Sequence, residues 1–274
     1  MQTPDGIWLR SLRVQPSDQT PDKFPFNIPI IQSLTEYVFD SQVTFLVGEN
    51  GCGKSTLLEA LAAAVGSITV GSAPAASDHS LTAVRALADR LQLVWTKRTR
   101  RGFFMRSEDF FGYARQMAAK HAELRDQLAA ADREYENRSP AARNYARLPY
   151  QNEISALQRD YGAGLDARSH GESYLQLFQA RFVPDGLYLL DEPEAPLSPL
   201  RQLTFLALMK NMLAERAQFI IATHSPIILA FPGATIPDLN GETIRPVQYG
   251  ELEHVQIMKS FLENPARYLG PLLE

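Results

Sequence analysis

One cysteine, Cys52, is all that this 274-residue sequence contains. An internal disulfide and a cysteine-based zinc site are excluded, which fits a reducing compartment. Equally absent is any run of about 18 uncharged apolar residues, so no bilayer-spanning helix is expected. The opening stretch carries Asp5 and Arg10 and lacks the apolar run of a secretory signal. The expectation is a soluble, cytoplasmic protein with no direct membrane insertion. There is no excess of positive charge either: 27 Lys and Arg stand against 31 Asp and Glu, for a net charge of −4. No global field therefore draws the molecule onto nucleic acid, although a local basic patch remains open. What is present is 45% hydrophobic and 21% charged, a globular composition. The length suits one large domain carrying an insertion.

Residues 7–14 and 28–39 read as short strands, separated by a turn-rich segment where Pro21, Pro25 and Pro29 oppose a helix. Residues 42–47 are β-branched and aromatic and end at a glycine-rich turn before a helix over 54–65. Residues 67–80 read as a loop, 81–91 as a helix and 91–95 as a strand. From 106 to 168 the texture turns to alanine, charge and helix formers, a helical insertion within a single domain spanning 1–274. Met117, His121, Leu124, Leu128, Ala131 and Tyr135 form a heptad-like stripe, suited to packing on the same domain or to an intermolecular coiled coil. Ser139-Pro140 is expected to end that helix, with a second antiparallel one over 149–161. Helices at 172–182 and 199–216 then alternate with apolar strands at 187–190 and 219–222. Such alternation predicts an α/β fold, a mostly parallel sheet flanked by helices.

Gly48-Glu49-Asn50-Gly51-Cys52-Gly53-Lys54-Ser55 fits G-x-x-x-x-G-K-[ST] in full and lies between a predicted strand and a predicted helix. The glycines let backbone N–H groups turn inward around phosphate oxygens, and the helix N-terminus adds a favourable dipole. Lys54 is placed for the β and γ phosphates and the Ser55 hydroxyl for Mg²⁺, with Thr56 next in the helix. Cys52 is either a redox-sensitive thiol or a small filler. Farther on, the apolar strand at 187–190 ends in Asp191 and Glu192. Successive strand residues point to opposite faces, so the two carboxylates have different tasks. Asp191 suits Mg²⁺, and Glu192 suits the general base that activates water.

These motifs, with three others, resemble the ABC-type P-loop ATPases. Ser169-His170-Gly171-Glu172 looks like a variant of the L-S-G-G-Q signature, Glu194-Ala195-Pro196-Leu197-Ser198 falls where the D-loop lies, and Thr223-His224-Ser225 resembles the switch histidine. Within that superfamily, RGFF, RSEDFF, SHGES and LLDEPEAPLSP are similar to the small stand-alone ATPases of the chromosome-maintenance and double-strand-break-repair branch. The resemblance implies ATP and Mg²⁺ as cofactors and a head-to-tail homodimer. Each ATP would lie between the phosphate loop of one copy and the signature of the other, with Glu192 and His224 catalytic and Ser55 and Asp191 holding the metal. His170-Gly171-Glu172 departs from the Gly-Gly-Gln of transporters, and the Q-loop glutamine has no evident counterpart. Glu108 is a weak substitute, and Phe24 or Phe26 is the candidate for stacking on adenine. Phe110 and Phe111 suit the core equally well.

Lys97, Arg98, Arg100, Arg101 and Arg106 form the densest basic cluster, either a solvated loop or a contact to the phosphates of ATP or of nucleic acid. The expected function is thus Mg²⁺-dependent ATP hydrolysis driving a conformational switch in DNA maintenance or defence, with DNA or an effector protein as partner. The rivals are a nucleotide-gated binding module with negligible turnover and the ATPase subunit of a membrane transporter.

Overall fold

The computed structural model describes residues 5–15, 23–69, 82–161 and 170–273. In chain order the elements are β1 (Leu9–Val14), α1 (Pro29–Ser33), β2 (Glu36–Val38), β3 (Val43–Leu46), α2 (Lys54–Val65), α3 (Thr82–Ala88), β4 (Leu91–Trp95) and β5 (Gly102–Arg106). There follow α4 (Ser107–Glu134), α5 (Pro140–Tyr161), α6 (His170–Arg181), β6 (Leu187–Asp191), α7 (Pro199–Ala214), β7 (Gln218–Ala222) and α8 (Pro226–Leu229). The chain closes with β8 (Pro237–Asp238), β9 (Arg245–Pro246), a 3-10 turn at Tyr249–Glu251, α9 (Glu253–Glu263) and α10 (Pro265–Leu273).

The central sheet is parallel, in the order β3-β7-β6-β5, and each strand is buried on both faces. The strands are continuous apolar runs because both faces are covered. Their side chains alternate between two cores. Phe45, Phe103, Tyr188 and Phe219 face α6 and α7 in an aromatic cluster with Phe178 and Phe205. Leu46, Phe104, Leu189 and Ile220 face Leu57, Leu58 and Leu61 of α2. A second, antiparallel sheet, β2-β1-β4, covers α2 and α3 with Leu9 and Leu12.

Two expectations are corrected. Residues 29–33, expected as strand, form the short helix α1: Pro29 sits at its first helical position, where a missing N–H costs nothing. The second insertion helix begins at Pro140 rather than at 149, because Ser139-Pro140 starts α5 instead of ending α4: the Ser139 hydroxyl accepts the Ala142 amide at 3.3 Å. Pro149 lies inside that helix. Helices α4 and α5 pack as an antiparallel pair, with Leu124 and Ala131 of the stripe buried and Asp132 held by Arg143 and Arg147 at 3.4 and 3.3 Å. With 28 residues, α4 extends about 40 Å. Of the loop expected at 67–80, only 67–69 lie within the described residues, and Thr69 bridges to Phe104 there.

Candidate nucleotide site

Parallel topology brings the motif residues to one edge of the sheet. The loop after β3, the carboxylates ending β6 and the Thr223-His224-Ser225 turn after β7 all lie at the carboxyl ends of neighbouring strands. In the loop after β3, Gly48, Gly51 and Gly53 adopt φ of 146°, 85° and 106°. At Gly48 a β-carbon would meet the Cys52 sulfur at 2.6 Å, so glycine is required there twice over. The Lys54 side chain folds back across the loop, donating from Nζ to the carbonyls of Gly48 (2.7 Å) and Glu49 (2.9 Å). From the far side, the Asn240 side chain accepts the Glu49 amide at 2.8 Å. Sequence reasoning missed Asn240, since no local pattern couples residues this far apart.

The Asp191 carboxylate, buried at the end of β6, accepts a hydrogen bond from Ser55, the first hydroxyl of α2. Burial is the main cause that pushes its pKa up to about 7, and the neighbouring Glu192 and Glu59 add to it. Glu192 is exposed, and its φ of 48° is one that few non-glycine residues adopt. Its amide donates to the Ala222 carbonyl at 2.8 Å, so the strained turn is tied to the end of β7. Two residues on, Glu194 is anchored to the next turn: its Oε1 accepts the Thr223 hydroxyl (2.7 Å), the His224 amide (2.8 Å) and the Ser225 amide (3.1 Å). Burial first, and Lys54 second, lower the His224 pKa and favour the neutral imidazole. His254 of α9, also unforeseen, stands with its ring centroid 6.4 Å from that of His224.

The signature-like segment is only partly within the described residues. Ser169 lies outside them, and His170 opens α6. Gly171 is buried against the turn after β6: a β-carbon would lie 2.9 Å from the Pro196 carbonyl oxygen. Glu172 pairs with Arg201 of α7 at 2.9 Å. Among the basic residues, Arg106 separates from the rest. It ends β5 in register with Asp191, is 9% exposed, and binds Asp109 at 2.9 Å and Glu59 of α2 at 3.3 Å. Glu108 is largely exposed and 3.7 Å from Arg106. Phe26 has the Arg90 guanidinium 4.0 Å from its ring centroid, Phe24 is exposed, and Phe110 is core.

The donor set fits Mg²⁺. Ser55 and Asp191 are hydrogen-bonded neighbours, and Asp191 Oδ1 is buried without a hydrogen-bond partner among the described residues. Those residues include no cluster of three or more His, Cys, Asp or Glu able to hold a metal by themselves, so phosphate oxygens and water would complete the shell.

Residues 85–230 match the family described as "AAA domain, putative AbiEii toxin, Type IV TA system", and residues 27–92 match a second family described as "AAA domain". The chain belongs to the AAA-domain family. Its α/β fold is a parallel sheet flanked by helices, in keeping with a P-loop NTPase. Such a fold supports nucleotide binding and hydrolysis in general. No curated protein matches the sequence. Among solved structures, the SMC head domain from Thermotoga maritima is similar at 15% identity over 88% of this chain and 100% of that one, with a TM-score of 0.44. An ATP-binding cassette of an ABC transporter, in its ADP conformation, is similar at 14% identity over 94% and 95%, with a TM-score of 0.46. Among the described residues no helix is long and apolar enough to cross a membrane.

Proposed function

We propose that this chain is an Mg²⁺-dependent ATPase that hydrolyses ATP at the edge formed by β3, β6 and β7, in a head-to-tail dimer serving as a switch in DNA maintenance or defence. The observation that carries the reading is the buried Asp191, bonded to Ser55 with one oxygen unpartnered among the described residues, beside the exposed and strained Glu192. On ATP binding, Lys54 exchanges two loop carbonyls for β and γ phosphate oxygens, and the first turn of α2 offers its amides to the anion while the Glu49 amide stays with Asn240. Ser55 and Asp191 would hold Mg²⁺, which neutralises charge on the phosphates.

Glu192 accepts a proton from the attacking water as its oxygen bonds to the γ-phosphorus and the bond to the β–γ bridging oxygen breaks, releasing ADP and phosphate. His224, neutral and with Nε2 unpartnered among the described residues, is available to hydrogen-bond the γ-phosphate. Ser169, His170, Gly171 and Glu172 of a second copy complete the site at the N-terminus of α6.

The test is Glu192→Gln. Hydrolysis should fall by roughly 10² to 10⁴, the usual share of a general base. With Mg-ATP the variant should elute at twice the monomer mass by light scattering. Turnover close to wild type would refute the assignment of the base. Negligible wild-type turnover with intact ATP binding would favour a nucleotide-gated binding module.

A further inference from the structure

At the opposite edge of the parallel sheet lies a second cleft, of about 680 Å³, formed where Arg101 leads into β5, Asp185 precedes β6 and Arg216 precedes β7. These are the amino ends of the strands, whereas the phosphate loop and Asp191 lie at the carboxyl ends. Strands of five residues put about 15 Å between the two edges. The cations of the cleft therefore do not reach ATP held by the phosphate loop of the same chain, whereas Arg106, expected in the same basic cluster, stands at the carboxyl end in register with Asp191.

Five cations, Lys97, Arg98, Arg100, Arg101 and Arg216, line the cleft against two carboxylates, Asp5 and Asp185. The local excess of positive charge stands on a protein of net charge −4. Asp185 holds two of the five, Arg101 at 3.3 Å and Arg216 at 2.7 Å. The other three, Lys97, Arg98 and Arg100, are exposed and make no ion pair with a described residue. They belong to one short stretch of chain from Lys97 to Arg100, along which successive phosphates of a strand can run. Half-buried Trp8 forms part of the wall, fixed by its Nε1–H, which donates to the Arg216 carbonyl at 2.6 Å. Unpaired cations strung beside an aromatic ring in an open cleft match the requirements of a nucleic-acid strand: charges that track successive phosphates and a surface on which a base can stack. A small anion would instead call for converging donors.

We infer that this cleft binds the phosphate backbone of a nucleic-acid strand. The inference gives the DNA role proposed above a surface, but it does not depend on ATP chemistry.

The experiment is fluorescence anisotropy with a labelled single-stranded DNA of about 20 nucleotides, titrated without ATP at about 50 and about 200 mM KCl. Binding should weaken with salt, with a slope of log K on log [KCl] of about −2 for three phosphate contacts. The triple variant Lys97→Glu, Arg98→Glu, Arg100→Glu should bind at least about tenfold more weakly, since charge reversal removes all three contacts. Lys54→Ala should bind DNA as the wild type does even though its ATP binding is impaired, which separates failure of this inference from failure of the ATPase reading. Absence of binding at the lower salt would overturn the inference, as would a triple variant that binds like wild type. Competition by inorganic tripolyphosphate as effective as that of unlabelled DNA, at equal phosphate, would make the cleft a small-anion site and likewise overturn it.

Discussion

Glu194 holds the amide of His224 at 2.8 Å, and the same carboxylate oxygen also takes the Thr223 hydroxyl and the Ser225 amide. The turn after β6 thereby fixes the turn after β7, so the position of His224 is set by a residue in the turn of a neighbouring strand. Glu194→Ala would leave the Thr223 hydroxyl and the His224 amide without their acceptor, while the Ser225 amide keeps the Thr223 hydroxyl oxygen at 3.0 Å, and should destabilise the protein by about 2–4 kcal/mol in urea unfolding. ATP hydrolysis should fall along with it. Glu194→Gln keeps a carbonyl acceptor and should recover most of the stability; equal losses in the two variants would show that the carboxylate charge, rather than the acceptor geometry, does the holding.

Asp191 yields a pH dependence. Its pKa is about 7 in the fold against an ordinary 3.8, so the folded state binds the proton more tightly than the unfolded chain. The stability this contributes is complete below the unfolded value and is lost as pH rises through about 7. Asp191→Asn, neutral at every pH, should therefore stabilise the nucleotide-free protein at pH 8 relative to pH 5, on the order of 2–4 kcal/mol. Thermal melts at the two pH values measure this, and a variant whose advantage is the same at both would contradict the burial-driven shift. Mg-ATP should bind the wild type more tightly as pH rises through the same range, because the metal requires the ionised carboxylate.

Gly48→Ala meets two obstacles, a backbone at φ 146° and the Cys52 sulfur 2.6 Å from the new methyl group. The loop has to shift, carrying with it the carbonyl that Lys54 now engages. Nucleotide affinity should drop about tenfold or more with stability reduced by about 1–3 kcal/mol, read by calorimetry and urea unfolding. The double variant Gly48→Ala, Cys52→Ala removes the sulfur but not the dihedral strain and should recover only part of the affinity.

Lys54→Ala should abolish detectable ATP binding by calorimetry while leaving the fold intact, since the lysine's present partners are two loop carbonyls on the rim of the site. Unchanged affinity would count against the phosphate-loop role.

Much of the fold was legible because its signals are local. The glycine spacing before Lys54, the apolar run that ends at Asp191 and the alternation of strands with helices each depend on neighbours within a few residues. Two expectations break at prolines: in sequence Pro29 and Pro140 read as a barrier and a terminator, yet each opens a helix. Proline at a first helical position and proline after a helix look alike in sequence, and only the packing of the segment that follows separates them. The β8-β9 pair, with two residues in each strand, is too short to carry a period, and the antiparallel pairing of β1 with β2 and β4 joins segments whose partners lie far apart in sequence.

The sequence by itself determined the chemistry on offer: a glycine loop able to surround phosphate, a hydroxyl and a carboxylate suited to a divalent cation, and a second carboxylate beside it. Only the tertiary structure decided which charges share a place. It set Arg106 in a buried network with Glu59 and Asp109, while Lys97, Arg98 and Arg100 went to the far edge of the sheet with Arg216. It also brought Asn240 to the phosphate loop and Glu194 to His224. The physical reason is that a parallel sheet sorts its connections by strand end, so residues adjacent in sequence can finish on opposite edges while residues far apart in the chain meet on the same one.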